Sequence, residues 1–197
     1  QAAQVLRMIR KFVGGDVFDR LIKRYLLDNE YKNGDAAKII NTLLKEYKGD
    51  FTHLQKILYE WIYQPGVAII FMERDENGVK LRQTRYHSTY FDEQLRDEKT
   101  RYTIPLFCTI DGVSQTIVFD SRVENLTISL ASNSTFVIEN NYGALYGVWS
   151  KLKELPENVE EIVKWVSLTI SLVRSGMLTI DEFYDTIAPF LDDSDVQ

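Results

Sequence analysis

The side chains most used for nucleophilic and metal chemistry are scarce in this chain: two histidines, His53 and His87, and one cysteine, Cys108. The histidines lie far apart and lack the H-E-x-x-H spacing that sets two imidazoles one helical turn apart to hold zinc. His87 precedes Ser88, but no aspartate joins them in a hydrolase motif and no G-x-S-x-G occurs, so nothing prepares an activated serine. No phosphate loop or dinucleotide fingerprint is present. The adjacent acids Asp92-Glu93 and Asp97-Glu98 fall in a polar stretch and read as solvated. His53, near a helix start, reads as a surface or capping residue. Cys108 lies in the apolar run YTIPLFCTI and reads as a small core residue; standing alone, it excludes an internal disulfide and a cysteine metal cluster. The residues thus offer no catalytic group, no metal ligand set and no cofactor site. Two modification signals remain. Asn125-Leu126-Thr127 and Asn133-Ser134-Thr135 are N-glycosylation acceptors, and Asn125 falls on the outward face of its expected strand. The pair tilts the reading toward an extracellular or lumenal protein, with a cytoplasmic one still open.

Composition narrows the class further. A chain of 197 residues can form one large domain or two to three small ones, with a real core. With 45% hydrophobic and 26% charged residues it is an ordinary soluble composition, and a net charge of −6 argues against nucleic acid, whose phosphates need a basic stripe. The basic N-terminal residues (Arg7, Arg10, Lys11, Arg20, Lys23, Arg24) and the acidic C-terminal ones (Asp181, Glu182, Asp185, Asp192, Asp193, Asp195) read as solvated faces. No apolar run reaches the ~18 residues of a membrane span, and no signal peptide precedes the first helix, so a targeting segment would have to lie outside the chain.

The elements that position these residues are organised around WIYQPGVAII, Trp61 to Ile70, where a helical period gives way to a strand-like run. Proline cannot donate to the helix ladder, so the helix carrying Trp61 should end near Tyr63, and Val67 to Phe71 read as a strand buried on both faces. Ahead of this junction the spacing predicts four short antiparallel helices. The first, with Val5, Met8, Ile9, Phe12 and Val13 inward, has no cap before it, which suggests a cut within a larger protein. Gly14-Gly15 ends it and Asp16 caps the second, which carries Val17, Phe18, Leu21, Ile22 and Tyr25. Asp35 opens the third; Gly49-Asp50 separates it from the fourth, whose stripe is Phe51, Leu54, Ile57, Leu58 and Trp61. The stripes of this bundle are expected to need a partner from upstream polypeptide.

Past Pro65-Gly66 the period becomes two. Asn77-Gly78 and Asp111-Gly112 are hairpin signals, and His87 to Lys99 reads as a loop. Val113, Gln115, Ile117 and Phe119 share a face; Leu126, Ile128 and Leu130 point inward while Asn125, Thr127 and Ser129 point outward; STFVIE is a further strand. Short strands with turns between them suggest an antiparallel β-sandwich. Helical spacing returns with Leu145, Val148, Trp149 and Leu152, then from Pro156 to Ser175-Gly176, and finally from Thr179 as a cap through Ile180, Phe183, Ile187 and Phe190. The class is therefore α+β and multi-domain: helical bundle, antiparallel β-sandwich, helical segment.

Several short matches in the same order along the chain carry a family resemblance. QAAQVLRM stands where a K-G-A-x-V-L-R-M helix is found, Tyr31-Lys32-Asn33 where a Y-x-N turn ends a helix, and WIYQPG where W-x-x-Q-x-G is found. Tyr102-Thr103-Ile104-Pro105-Leu106 matches a W-x-I-P-L strand, Asn141-Tyr142 an N-Y pair, and Ser175-Gly176-Met177-Leu178 an A-G-x-L helix end. Across nearly its whole length the chain resembles the zinc-dependent aminopeptidases of the aminopeptidase N and puromycin-sensitive type, the gluzincins. The resemblance implies that residues 1–65 end a thermolysin-like catalytic domain, 66–141 form the β-sandwich and 142–197 begin a C-terminal helical domain. The zinc ligands, the general-base glutamate, the substrate-amine strand and the transition-state tyrosine would all precede Gln1. No catalytic residue carries over, and this chain alone is expected to be inactive. In an active parent the resemblance implies Zn²⁺ and peptide substrates, with an upstream zinc-bearing domain and a downstream helical domain as partners. Departures at Glu139-Asn140-Asn141-Tyr142 and Lys38-Ile39-Ile40 leave a second reading, an interaction module from a catalytically inactive homologue. A third, an unrelated β-sandwich adaptor, requires the ordered matches to be coincidental.

Overall fold

The computed structural model describes residues 2–86, 100–138, 147–150, 166, 169–174, 176 and 178–191. His87, Asp92, Glu93, Asp97, Glu98, Asn141 and Tyr142, singled out above, lie outside them. The α+β class expected from the sequence is the one observed.

Four helices come first: α1 (Ala2–Val13), α2 (Gly15–Asp28), α3 (Ala36–Glu46) and α4 (Phe51–Tyr63). The chain turns at Gly14, which is itself the N-cap residue of α2. Asp16 is therefore not the cap expected from the sequence; it lies inside the first turn of α2, where its charge faces the positive end of the helix dipole. Asp35 does cap α3, accepting from Lys38 N at 2.7 Å, and Asp50 caps α4, accepting from His53 N at 3.2 Å. The helix of Trp61 ends at Tyr63, as the following proline dictates.

Seven strands follow among the described residues: β1 (Val67–Asp75), β2 (Gly78–Tyr86), β3 (Ile104–Ile110), β4 (Val113–Phe119), β5 (Asn125–Ser129), β6 (Phe136–Ile138) and β7 (Gly147–Ser150). They form a sheet of order β5-β2-β1-β7 and a second of order β4-β3-β6. Cross-strand register puts Ile70, Met72, Leu81, Val79, Leu126 and Ile128 on one face of the first sheet, and these join the core. Ile69, on the opposite face of β1, is also buried, so this strand is covered on both faces as its apolar run predicts.

Two expectations are corrected here. Residues 147–150 are a strand parallel to β1, with Ile69 opposite Gly147, where the spacing of Leu145, Val148, Trp149 and Leu152 predicts helix. Glycine within that window costs a helix about 1 kcal/mol, and valine and tryptophan favour a strand. Val113, Gln115, Ile117 and Phe119 do share a face of β4, and along it Val113 and Gln115 are exposed, Ile117 half-buried and Phe119 buried. The β3–β4 hairpin reaches past the core at its tip, so its first residues have nothing to cover them. Finally, the helical stripes do not await an outside partner. Val5, Met8, Ile9, Leu43, Leu54, Ile57 and Leu58 belong to one continuous core with Ile104, Leu106, Phe107, Phe119, Ile70 and Leu81. Lys11 of α1 sits over the Phe107 ring, 4.7 Å from its centroid, which sets α1 against β3.

At the far end α5 (Ile180–Leu191) starts on Thr179 as expected. Thr179 Oγ1 accepts from Glu182 N at 3.2 Å while the Glu182 carboxylate accepts from Thr179 N at 2.9 Å, a reciprocal capping box. No helix among the described residues is long and apolar enough to cross a membrane.

Candidate functional site at the seam between helix and strands

Strand β3 begins and β4 ends at the same edge of their sheet, with Ile104 opposite Phe119. The residues just outside that pair, Thr103 on one strand and Asp120-Ser121 on the other, therefore emerge side by side. Helix α4 runs past them and presents Lys56 and Glu60, one turn apart on one face, with Trp61 beside them and Gln64 as its C-cap residue. The polar groups of the seam meet in this gap.

Glu60 is its centre. One carboxylate oxygen accepts from Thr103 N, and the other accepts from Ser121 Oγ at 2.6 Å. Thr103 is fully buried, and Trp61 Nε1 donates to its carbonyl at 2.9 Å, so both its backbone groups are satisfied from α4. Gln64 Nε2 donates to the Arg101 carbonyl at 2.9 Å. Tyr102 lies against Trp61 with ring centroids 4.8 Å apart, and its hydroxyl donates to the Pro65 carbonyl at 2.7 Å. Behind it Gln83, 2% exposed on the core face of β2, accepts from Tyr102 N at 3.0 Å and donates to Val123 O at 3.1 Å. A buried amide with its acceptor and donor both engaged specifies one arrangement of its neighbours.

Asp120 closes the seam toward the start of α4. Lys56 Nζ donates to it at 2.7 Å, and Arg122 donates through Nε, Nη2 and its backbone N–H at 2.9–3.0 Å. Burial pushes the Asp120 carboxyl up, but the hydrogen bonds from Arg122 and Lys56 outweigh it and hold the group well below the usual carboxylate range. His53 stands beside it, Nε2 at 3.6 Å from Asp120 and Nδ1 at 2.5 Å from Asp50. The Asp50 carboxyl is lowered by that hydrogen bond.

The sign of the resulting pH dependence follows. A carboxyl whose folded pKa is depressed adds stability that is complete above its unfolded value, about 4, and is lost as pH falls below it. Urea unfolding of the wild type is therefore expected to shift to lower midpoints between roughly pH 4 and pH 2. Asp120→Asn is expected to flatten that fall without abolishing it, because Asp50 contributes in the same window. An equally steep fall in the variant would remove Asp120 from the explanation.

The geometry binds elements together and prepares no reaction. Among the described residues no serine, threonine or cysteine bonds His53, and Ser121 donates to a carboxylate whose other oxygen is already taken. No group of three His, Cys, Asp or Glu among the described residues could hold a metal. The nearest approach, His53 with Asp50 and Asp120, does not fit a cation, since Lys56 and Arg122 already neutralise Asp120. Cys108 is fully buried in β3, Asn125 is exposed at the start of the edge strand β5, and Asn133 is exposed in the turn before β6; none of them touches the seam. Sequence reasoning missed Lys56, Glu60, Gln83 and Asp120. For Gln83 a signal existed: it is the polar residue at an inward position of the run Val79, Leu81, Gln83.

No family model matches the chain. A probable aminopeptidase 1 of Sulfurisphaera tokodaii is 29% identical over 155 residues, which cover 79% of this chain and 19% of that protein. A leucyl aminopeptidase of Saccharolobus solfataricus is 25% identical over 199 residues, 99% of this chain and 24% of its own length. The chain is similar to aminopeptidases. A third relative, tricorn protease-interacting factor F2 of Thermoplasma volcanium, is 25% identical over 201 residues, again 99% of this chain and 24% of that protein. The chain thus spans a fifth to a quarter of the length of these relatives. The stretches that resemble the aminopeptidases at this point, WIYQPG and Tyr102 to Leu106, supply Trp61, Gln64, Pro65, Tyr102 and Thr103 to the seam.

Proposed function

We propose that this chain is a non-catalytic part of a zinc aminopeptidase-like protein: residues 1–65 close a thermolysin-like catalytic domain, 66–141 form its β-sandwich and 142–197 begin a C-terminal helical domain. Its work is to hold the catalytic helices and the sandwich in one fixed relation. The observation that carries this reading is the seam, in which Glu60, Trp61 and Gln64 of the helical part satisfy the backbone of residues 101–103 at the entry to β3. The leucyl aminopeptidase relative supports it by its similarity along almost the entire chain. The zinc of such a protein, its general-base glutamate and its oxyanion-stabilising tyrosine belong to polypeptide outside this chain, and its substrates are peptides cleaved at their first bond.

Two measurements test the reading. The purified chain is expected to release no product from aminoacyl amides; hydrolysis abolished by a chelator would overturn the assignment of catalysis to other residues. The gene upstream of the Gln1 codon is expected to encode HExxH, a further glutamate ligand and the tyrosine. A matching framework without those residues would instead make the parent an inactive homologue that acts by binding.

A further inference from the structure

One apolar face of the helical part remains exposed. Leu26 and Leu27, near the end of α2, are each 61% exposed and lie in a shallow groove that continues through Ile22 to Phe18. Tyr31, in the turn that follows, is 99% exposed with a left-handed backbone (φ 58°). Adjacent exposed leucines on one groove mark a contact surface.

The charges around this patch indicate its occupant. Of the charged residues lining the groove, Asp19 is already held by Arg10 at 2.9 Å, whereas Lys23 and Glu30 make no ion pair among the described residues. Lys23 stands in α2 and Glu30 in the turn that follows it, and no ion pair joins the two. They are placed symmetrically about the leucines: Lys23 stands three positions before Leu26 and Glu30 three positions after Leu27. A two-fold axis between Leu26 and Leu27 therefore sets Leu26 against Leu27 of a second copy, and Lys23 against Glu30 of that copy, twice over. Apolar centre, opposite charges at both ends and self-complementarity are the features of an isologous contact.

We propose that this face pairs two copies of the chain, α2 antiparallel to α2, in a weak dimer centred on Leu26 and Leu27. Lys23, Leu26 and Glu30 are exposed, so substitutions there leave the fold intact, which circular dichroism checks.

The experiment is sedimentation equilibrium of the 197-residue chain, followed up to about 1 mM. A reversible dimer is expected. Leu26→Asp is expected to abolish it. Lys23→Glu and Glu30→Lys each put like charges together at both ends and are expected to weaken it about tenfold, while the double variant restores the original affinity. A chain that stays monomeric, its leucines then being free for another partner, overturns the proposal. So does a dimer indifferent to Leu26→Asp, or one in which the double variant stays as weak as either single.

Discussion

Replacing Trp61 by alanine is expected to lower the unfolding free energy of the chain by about 3–5 kcal/mol, and replacing it by phenylalanine by about 1–2 kcal/mol. The alanine variant loses a large side chain that is 9% exposed, the ring contact with Tyr102 and the hydrogen bond to Thr103. Because the surrounding core holds Ile57, Leu58 and Ile104 in place, the space left behind cannot close fully. The phenylalanine variant keeps most of the packing and the aromatic contact. It loses the Nε1–H donor and leaves the buried Thr103 carbonyl without its partner from α4, so its cost isolates the polar part of the seam. Urea unfolding followed by far-ultraviolet circular dichroism gives both values. Equal losses in the two variants would mean that the hydrogen bond, not the volume, dominates. A loss under about 1 kcal/mol for alanine would mean that Trp61 does not hold the helices to the strands.

The same seam shows which parts of the molecule a sequence discloses. Pro65-Gly66 marks the end of α4 because proline's missing N–H acts locally, and Asp111-Gly112 marks its hairpin because both residues adopt positive φ there, 50° and 79°. Asp35 and Thr179 announce helix starts for the same local reason. Glu60 and Lys56 are invisible by such means. On a helix face each looks like a solvated charge, and only the return of Thr103 and Asp120 to the same place, far along the chain, gives them buried partners. The motifs resembling aminopeptidases named Trp61, Gln64, Tyr102 and Thr103 without saying what joins them. Strand β7 was hidden for another reason: its four residues fit a helical period, and its place in the sheet depends on β1, to which it pairs in parallel. The stripes of α1 and α4 read as uncovered because periodicity shows that a face is apolar and not which neighbour covers it.

Gly78→Ala is expected to cost about 3 kcal/mol or more, and Gly112→Ala about 1 kcal/mol, although both glycines belong to hairpin-turn dipeptides of the sequence. The sequence signal Asn77-Gly78 suggests that these two residues form the turn. The structure instead closes the turn with Glu76 and Asn77, and Gly78 is already the first residue of β2, paired with Asp75 on one side and Ser129 on the other. There its φ is 142°, and a Cβ would overlap the carbonyl oxygen of Ile128 and lie 2.9 Å from Leu130 N. Both are backbone atoms, Ile128 in β5 and Leu130 just after it, held in place by the Leu130 N–H bond to Asn77 O at 3.2 Å, so they cannot swing aside as a side chain would. Alanine must therefore push β5 off the sheet edge and uncover Leu126 and Ile128 beneath it. Gly112, at φ 79° and with no atom beyond its chain neighbours within 4 Å of the place a methyl group would take, carries the backbone strain alone and serves as the control. Chemical unfolding of the two variants separates steric overlap from strain. Equal costs would show that β5 yields easily and that close approach at Gly78 is not what demands glycine. A larger cost at Gly78, with faster amide exchange confined to residues 125–130, is the expected result and makes that edge strand the first part of the sheet to leave.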